Sequence, residues 1–406
     1  MGRSEMLRQS KDLTNNLPYL AEIERFSSTS LPMPTSKDED WKYVSLDHLT
    51  TLIHTDISDI DEYKERVASI IESLPYSPDI VFVNGVLFSG DVSGCKIADS
   101  SDSKGSFNVF EKACNKQAQT QYIKQIATQS EETLICLSLS IPSLSQTTHA
   151  QLRFDVSESA TLAISLHHLH VSELGETDDH HLSNLVLSFN LAEASSCEFV
   201  QYKSQAESVT FMEKVNVEAH DKSSFNYVSV NLGATLSRED ICVSALGSGF
   251  DNNLAGVSIL GKKDAHFVKT EIHLTIPEVT SRQLFKNIMT DQTVAEYNGL
   301  VKVYPDAQKI DSDQLNRNLV LSDAAEAYSR PQLRIFADDV SCTHGSTTGE
   351  IEKHELLYLQ SRGLSEDVAK TLLIYGFAEE VVDIISKSPL KSFIETGLKN
   401  RLLNVS

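Results

Sequence analysis

The sequence predicts a mainly β protein, its centre a β-helix, with an N-terminal helical and mixed segment before it and a C-terminal helical segment after it. Three observations lead there. From about residue 150, apolar residues alternate with small or polar ones for about 190 residues, the period of a half-buried strand. The segments ASSCEFV, KSSFNYV, FDNNLAG, VTSRQLF and AQKIDSD begin at residues 194, 222, 250, 279 and 307, at intervals of 28 to 29, and each follows a strand of the same kind. Tight hairpin signals are scarce in this stretch, Asn298-Gly299 being its one Asn-Gly pair, which favours coils stacked on one another over a sandwich of hairpins. The 406 residues exceed one compact core, so the chain divides into a helical and mixed part at 1–150, the β-helix at 151–345 and a helical part at 346–406.

Taken in order, Leu17, Leu20, Ile23 and Phe26, and then Val67, Ile70, Ile71 and Leu74, carry helical spacing on either side of a Pro- and Ser-rich break, SSTSLPMPTSKDEDWKY. DIVFVNGVLFSG (79–90) reads as strand and NVFEKACNKQAQTQYIKQIA (108–127) as helix. The alternation follows, with Leu162, Ile164 and Leu166 on one face, then Leu185, Leu187, Phe189 and Leu191, and later Val268, Thr270, Ile272, Leu274 and Ile276. After Gly349 the period lengthens again. EIEKHELLYLQSRG stops at Gly363, Ser365 caps EDVAKTLLIYGFAEEVVDII, and a third helix covers Ser392 to Leu403. The acidic side chains of these helices favour a protein-docking module over a DNA-reading trio.

Composition removes several classes. A net charge of -22, from 35 basic and 57 acidic residues, repels a phosphate backbone, and no basic stripe offsets it. The longest apolar runs, IVFVNGVLF and TLLIYGFA, fall well short of the about 18 residues a membrane span needs. MGRSEMLRQSKDL lacks the apolar core of a secretion signal, and Met6 stands where a myristoylation pattern has Ser or Thr, so a cytoplasmic protein is expected. The six cysteines, at 95, 114, 136, 197, 242 and 342, form no C-x-x-C pair, the pattern of reduced thiols rather than disulfides.

Three groups of residues invite a chemical reading. GVSILGKK (256–263) approaches a phosphate-binding loop but ends on Lys263 instead of a hydroxyl, and strand-like DAHFVKTEIHLTI follows where a helix should begin. It reads as a turn between coils. His167, His168, His170, His180 and His181 bracket the acidic loop VSELGETDD; a metal site is conceivable, but a structural role on the rim of a coil is favoured. Cys342 and His344, in ADDVSCTHGSTTGE, share a face if that segment is a strand and lie about 7 Å apart, so thiol and imidazole can flank one ion. Two ligands do not complete a site. Asp338, Asp339 and Glu350 offer oxygens nearby, and otherwise the missing ligands come from elsewhere in the fold or from a partner at an exposed sheet edge. The alternative is a buried thiol beside an imidazole that caps a turn.

PQLRIFADDVSCTHGSTTGEIEKHELLYLQSRGLSEDVAKTLLIYGFAEEVV (331–382) resembles the C-terminal signature of the SufD family, subunits of the SUF iron-sulfur cluster assembly complex. GLVKVYPDAQKIDSDQLNRNLVLSDAAEAYSRP, SRQLFKNIM, IVFVNGVLFSG and PTSKDEDWKY, which holds Trp41, extend the resemblance over most of the chain. SufB shares the architecture, but its functional cysteine has no counterpart in Asn316 to Asp323, and its cysteine-rich N-terminal motif is absent. The resemblance implies a right-handed parallel β-helix that pairs with SufB, and C-terminal helices that dock the ATPase SufC. It also implies that His344, in the family's C-x-H motif, is a ligand of iron or of a transient iron-sulfur cluster shared with SufB. Cys342 matches the family cysteine, whose role spans packing, persulfide relay and ligation. Reduced flavin accompanies some such complexes, although no flavin motif is visible here. The exposed sheet edge makes a homodimer plausible where SufB is absent, a point the sequence leaves open. On this reading the chain is a non-catalytic scaffold that binds no nucleotide, nucleic acid or membrane. The rivals are a purely structural adaptor and a β-helix enzyme acting on polysaccharide.

Overall fold

The computed structural model describes residues 37–44, 63–90, 95–98, 121–141, 147–171, 180–204 and 206–403. The N-terminal helix expected around Leu17 to Phe26 lies outside them. Helix α1 (Lys64–Ser73) leads into a hairpin of β1 (Ile80–Val83) and β2 (Val86–Gly90), followed by β3 (Cys95–Ala98) and β4 (Gln121–Ile126). Long strands then succeed one another: β5 (Glu131–Ser140), β6 (Thr147–Val156), β7 (Thr161–His170), β8 (His181–Leu191), β9 (Ser196–Lys203) and β10 (Ala206–Ala219). The series continues with β11 (Ser224–Asn231), β12 (Ala234–Ala245), β13 (Asp251–Leu260), β14 (Ala265–Leu274) and β15 (Thr280–Met289). It ends with β16 (Val294–Val303), β17 (Ile310–Val320), β18 (Glu326–Ile335) and β19 (Val340–Gly349), after which come helices α2 (Lys353–Ser361), α3 (Glu366–Val382) and α4 (Lys391–Leu403).

From β4 onward each strand pairs in parallel with the strand two places along, so odd strands build one sheet and even strands the other. The result is a parallel β-solenoid of about 7 turns. The predicted repeat is the odd sheet, whose strands from β9 to β17 each begin a few residues after the start of a repeat segment. A conformational signature marks the corner before each odd strand from β5 to β17. Gln129, Ser159, Ala194, Lys222, Glu278 and Lys309 all have φ between 54° and 63°, and Gly249 has 73°. A left-handed backbone costs a non-glycine residue about 1 kcal/mol. The cost is offset along the stack: Ala194 N–H donates to Asp221 O (2.8 Å), Lys222 N–H to Ser248 O (2.8 Å) and Glu278 N–H to Gln308 O (2.9 Å), each joining one coil's corner to the next.

The segment expected as helix at 108–127 is corrected where it is described. Residues 121–126 form β4, with Tyr122 and Ile126 buried and paired to Leu152 and Val156 of β6; tertiary pairing overrides the helical leaning of Gln and Lys. DIVFVNGVLFSG makes two strands, because Asn84 and Gly85, with φ of 44° and 82°, supply a hairpin turn. The one Asn-Gly pair of the repeat region, Asn298-Gly299, lies inside β16. Parallel ladders therefore begin upstream of the alternation that the sequence makes obvious.

Inside the solenoid, facing side chains from both sheets stack along its axis: Phe154 on Phe189 (5.4 Å between centroids), Phe189 beside Phe199 (5.2 Å), and Phe285 on Tyr297 (5.3 Å). The middle of the odd sheet, β9 to β15, is buried on its outer face as well. Val200, Val228, Val230, Ala255 and Val257 pack beneath Ile374, Ala378, Val381 and Leu398 of α3 and α4, which fold back over β11, β13 and β15. At the other end Val67 of α1 covers Val81, Val83 and Leu137. The even sheet instead carries a short strap. Trp41, in a 3-10 turn at Glu39–Trp41, lies 4.0 Å from the Arg238 guanidinium, the Asp40 carboxylate accepts from Lys269 (2.8 Å), and Tyr43 stacks on Tyr328 at 3.7 Å. No helix among the described residues is long and apolar enough to cross a membrane.

Candidate functional site

Strand β19 closes the odd sheet and β18 the even one, so each pairs on one side and presents an open edge on the other. In β19, Cys342 stands against Ser312 and His344 against Gln314 of β17. Followed back through the coils, the His344 column runs Gln314, Gln283, Leu254, Tyr227, Phe199, and the Cys342 column Ser312, Ser281, Asn252, Phe225, Cys197. These are interior columns. Cys342 and His344 thus share the core-facing side, as their spacing predicts, at the coil where the core meets its open end. Cys342 is half-buried against the core and His344 is exposed.

Along both columns the interior changes from aromatic and aliphatic to amide and hydroxyl. Gln283 Oε1 accepts from Thr270 Oγ1 (2.7 Å) and Tyr297 OH (3.1 Å), while its Nε2 has no partner. Directly behind the rim pair, Ser312 Oγ and both polar atoms of Gln314 are buried without a partner. Gly299 makes room here, since a Cβ would come 2.4 Å from Tyr297 OH and 3.0 Å from Gln314 Nε2. Unpaired buried polar atoms are costly and call for an occupant or an incoming group. Burial, and after it the Asp311 carboxylate, push the Cys342 thiol up, so at neutral pH it stays protonated until a cation displaces the proton.

The remaining predicted residues separate. Among the described residues no third Cys, His, Asp or Glu gathers at ligand distance around Cys342 and His344. Asp338, Asp339 and Glu350 therefore do not complete the pair within this chain. Asp339 instead ties the corner turn, its N–H donating to Gln308 Oε1 (2.8 Å) and its carbonyl accepting from Lys309 N–H (2.6 Å). The pleat parts His167 from His168 and His170, while the His170 and His181 rings lie 6.0 Å apart between centroids and, among the described residues, form no group of three ligand atoms. His167 contacts Tyr76 and lies 2.7 Å from Ser204 Oγ, His168 lies 3.2 Å from Glu213, and His181 lies 3.0 Å from Thr148 Oγ1. Burial lowers His167 and His170 to about 4, keeping both rings neutral. In GVSILGKK, Gly256 to Leu260 lie in β13 and Lys262, with φ of 57°, turns the chain into β14. No helix follows to receive a phosphate.

Residues 140–377, more than half of the chain, match the family described as SUF system FeS cluster assembly, SufBD core domain. The chain belongs to the SufBD family. Over 388 residues it is 25% identical to the iron-sulfur cluster assembly protein SufD of Escherichia coli, covering 91% of this chain and 89% of that protein. An iron-sulfur cluster assembly SufBD family protein of Synechocystis is 36% identical over 170 residues, 42% of this chain and 38% of its own length. SufD of Bacillus subtilis is 30% identical over 175 residues, 42% of this chain and 39% of its own.

In this SufBD chain the C-terminal helices are fastened to the coils by polar contacts that the sequence does not announce. The buried Glu198 carboxylate of β9 accepts from the N–H groups of Ser386 (3.0 Å), Lys387 (2.7 Å) and Ser388 (2.9 Å), in the loop between α3 and α4. Burial alone would raise its pKa, but these donors, with Ser386 Oγ and Asn226, hold it below the ordinary value. Lys286 of β15 reaches Glu380 and the carbonyl of Phe377 (2.8 Å). On their other side the helices leave a groove lined by Val368, Thr371, Leu372, Tyr375, Leu402 and Leu403. The interior amides, Glu198 and Lys286 escaped the sequence reading because polar residues in an alternating strand look solvent-facing. Only the ladder shows which face they take.

Proposed function

We propose that this chain is the SufD-type scaffold subunit of a SUF complex. It pairs with SufB at the open rim of the solenoid, binds SufC through its C-terminal helices, and presents His344, with Cys342 beside it, to iron or a nascent cluster carried as cargo between the two subunits. One observation carries the reading: an incomplete ligand pair on an edge strand with one side open, backed by buried polar atoms without partners. A neighbouring chain that pairs with the edge brings the missing ligands to the same place. Where SufB is absent, the same edge takes a second copy.

The docking of SufC is supported by the apolar groove on α3 and α4 and by Leu357 and Tyr358 of α2, which are 64% and 58% exposed. Glu198 and Lys286 give the coupling a physical route. When two SufC subunits close on ATP, displacement of the helices is handed to β9 and β15, shifting the rim and uncovering the ligands. The chain itself performs no catalysis on this reading, the hydrolysis belonging to SufC. Its unbridged thiols at Cys136, Cys197, Cys242 and Cys342 are in keeping with the reducing cytoplasm.

The test is reconstitution with SufB and SufC. The His344→Ala chain is expected to co-purify with both partners while cluster formation falls at least tenfold. Normal assembly with normal cluster formation overturns the ligand role, and failure of the unsubstituted chain to co-purify overturns the partner assignment.

A further inference from the structure

On the outer face of the even sheet, away from the rim, β12 and β14 place a second set of ligand atoms together. Cys242 of β12 stands against Glu271 of β14 in the ladder, and His273 follows Glu271 by two residues on the same face. One ligand atom from each lies within 4.8 Å of the other two. We propose that Cys242, Glu271 and His273 bind one divalent borderline transition ion of the zinc type, fixed outside the site that serves the cluster.

The atoms not offered to the ion are already held. Lys269 Nζ binds Glu271 Oε1 at 2.7 Å, leaving Oε2 free to turn inward. Tyr304 OH contacts His273 Nδ1 at 3.3 Å, leaving Nε2 at 4.0 Å from Glu271 Oε2. Outer partners of this kind orient metal ligands and set their affinity. Lys269 is fixed in turn by Asp40 of the strap, at 2.8 Å. Ligands at about 2.0–2.3 Å from a common zinc ion stand about 3.3–3.8 Å apart, so side-chain rotation of about 1 Å closes the set. One thiolate, one imidazole and one carboxylate suit zinc better than magnesium or calcium, which prefer oxygen alone. Three protein ligands leave the fourth position to water. Both neighbours suit the chemistry: the carboxylate is held below its ordinary pKa by Lys269 against the effect of burial, and burial keeps the imidazole in its neutral, ligating form. On binding, the Cys242 thiol releases its proton to solvent as the metal–sulfur bond forms, with no change of oxidation state. The ion would staple β12 to β14 beneath the strap.

The full-length chain, stripped with chelator and kept reduced, is titrated with Co2+ as the optical probe for zinc. A thiolate-to-cobalt absorption band is expected, saturating at one equivalent and displaced by Zn2+. It should vanish in Cys242→Ser and persist in Cys342→Ser. His273→Ala and Tyr304→Phe should each weaken binding at least tenfold, with circular dichroism unchanged. Glu271→Gln, which keeps the shape and removes the charge, serves as the second variant should Cys242→Ser not fold, and should weaken binding likewise. Absence of the band in the folded chain, its survival in Cys242→Ser, or binding weakened less than tenfold in all of His273→Ala, Tyr304→Phe and Glu271→Gln overturns the proposal.

Discussion

Cys342 and His344 sit where little stability is at stake, on a half-paired strand at the rim of the solenoid. Replacing either by Ser or Ala should change the unfolding free energy by no more than about 1 kcal/mol, measured by urea denaturation, even where function is lost. Gln314 behaves in the opposite way. Its buried amide has no partner, and such a group costs about 1–3 kcal/mol. Gln314→Leu should therefore stabilise the isolated chain by about that amount while impairing cluster formation in the complex. A destabilised variant would mean that the amide is satisfied in solution and that the polar end of the core is not kept for an incoming group.

Among the elements, the C-terminal helices depend on one carboxylate. Glu198→Ala leaves three backbone donors of the α3–α4 loop unanswered and should cost about 3 kcal/mol, with hydrogen-exchange protection lost first over 366–403. The unsubstituted chain should show the same release in acid. Glu198 is held below its ordinary value of 4.5, so its contribution is complete above about pH 4.5 and is lost as the pH falls through the lower folded value. Protection factors over 366–403 that do not fall relative to the rest of the chain as the pH drops below 4.5 until the whole fold is lost would refute the clamp. Period and repeat were legible in the sequence because interior side chains must alternate, and Ser365, whose Oγ accepts from Val368 N–H, was legible as a cap. The facing of β17 was not. In DQLNRN the amides Gln314, Asn316 and Asn318 turn inward and Leu315 and Arg317 outward, the reverse of what polarity suggests, because register with β15 fixes the strand. The spacing of Cys342 and His344 gave their shared face, but that their strand is the last one depends on the whole stack. β4 was missed because its partner β6 lies more than twenty residues downstream, beyond any local pattern.

For the molecule as a whole, buried histidines set the acid limit. Burial lowers His167, His170 and His266 to about 4 and His168 well below the ordinary 6.5. Unfolding lets these rings take up protons that the fold denies them, so stability is complete above about pH 6.5 and declines as the pH drops toward 4. The thermal midpoint should fall from about pH 6.5 to pH 5, before most carboxylates titrate; a flat profile would show the rings charged in the fold. On the proposed function another chain completes the rim pair, and the electronic structure of the cargo tests this directly. In the complex with SufB and SufC, assembled with 15N-histidine in this chain alone, electron–nuclear double resonance of the reduced cluster should show a 15N coupling that disappears in His344→Ala. A cluster of normal yield with no 15N coupling from this chain would contradict the account.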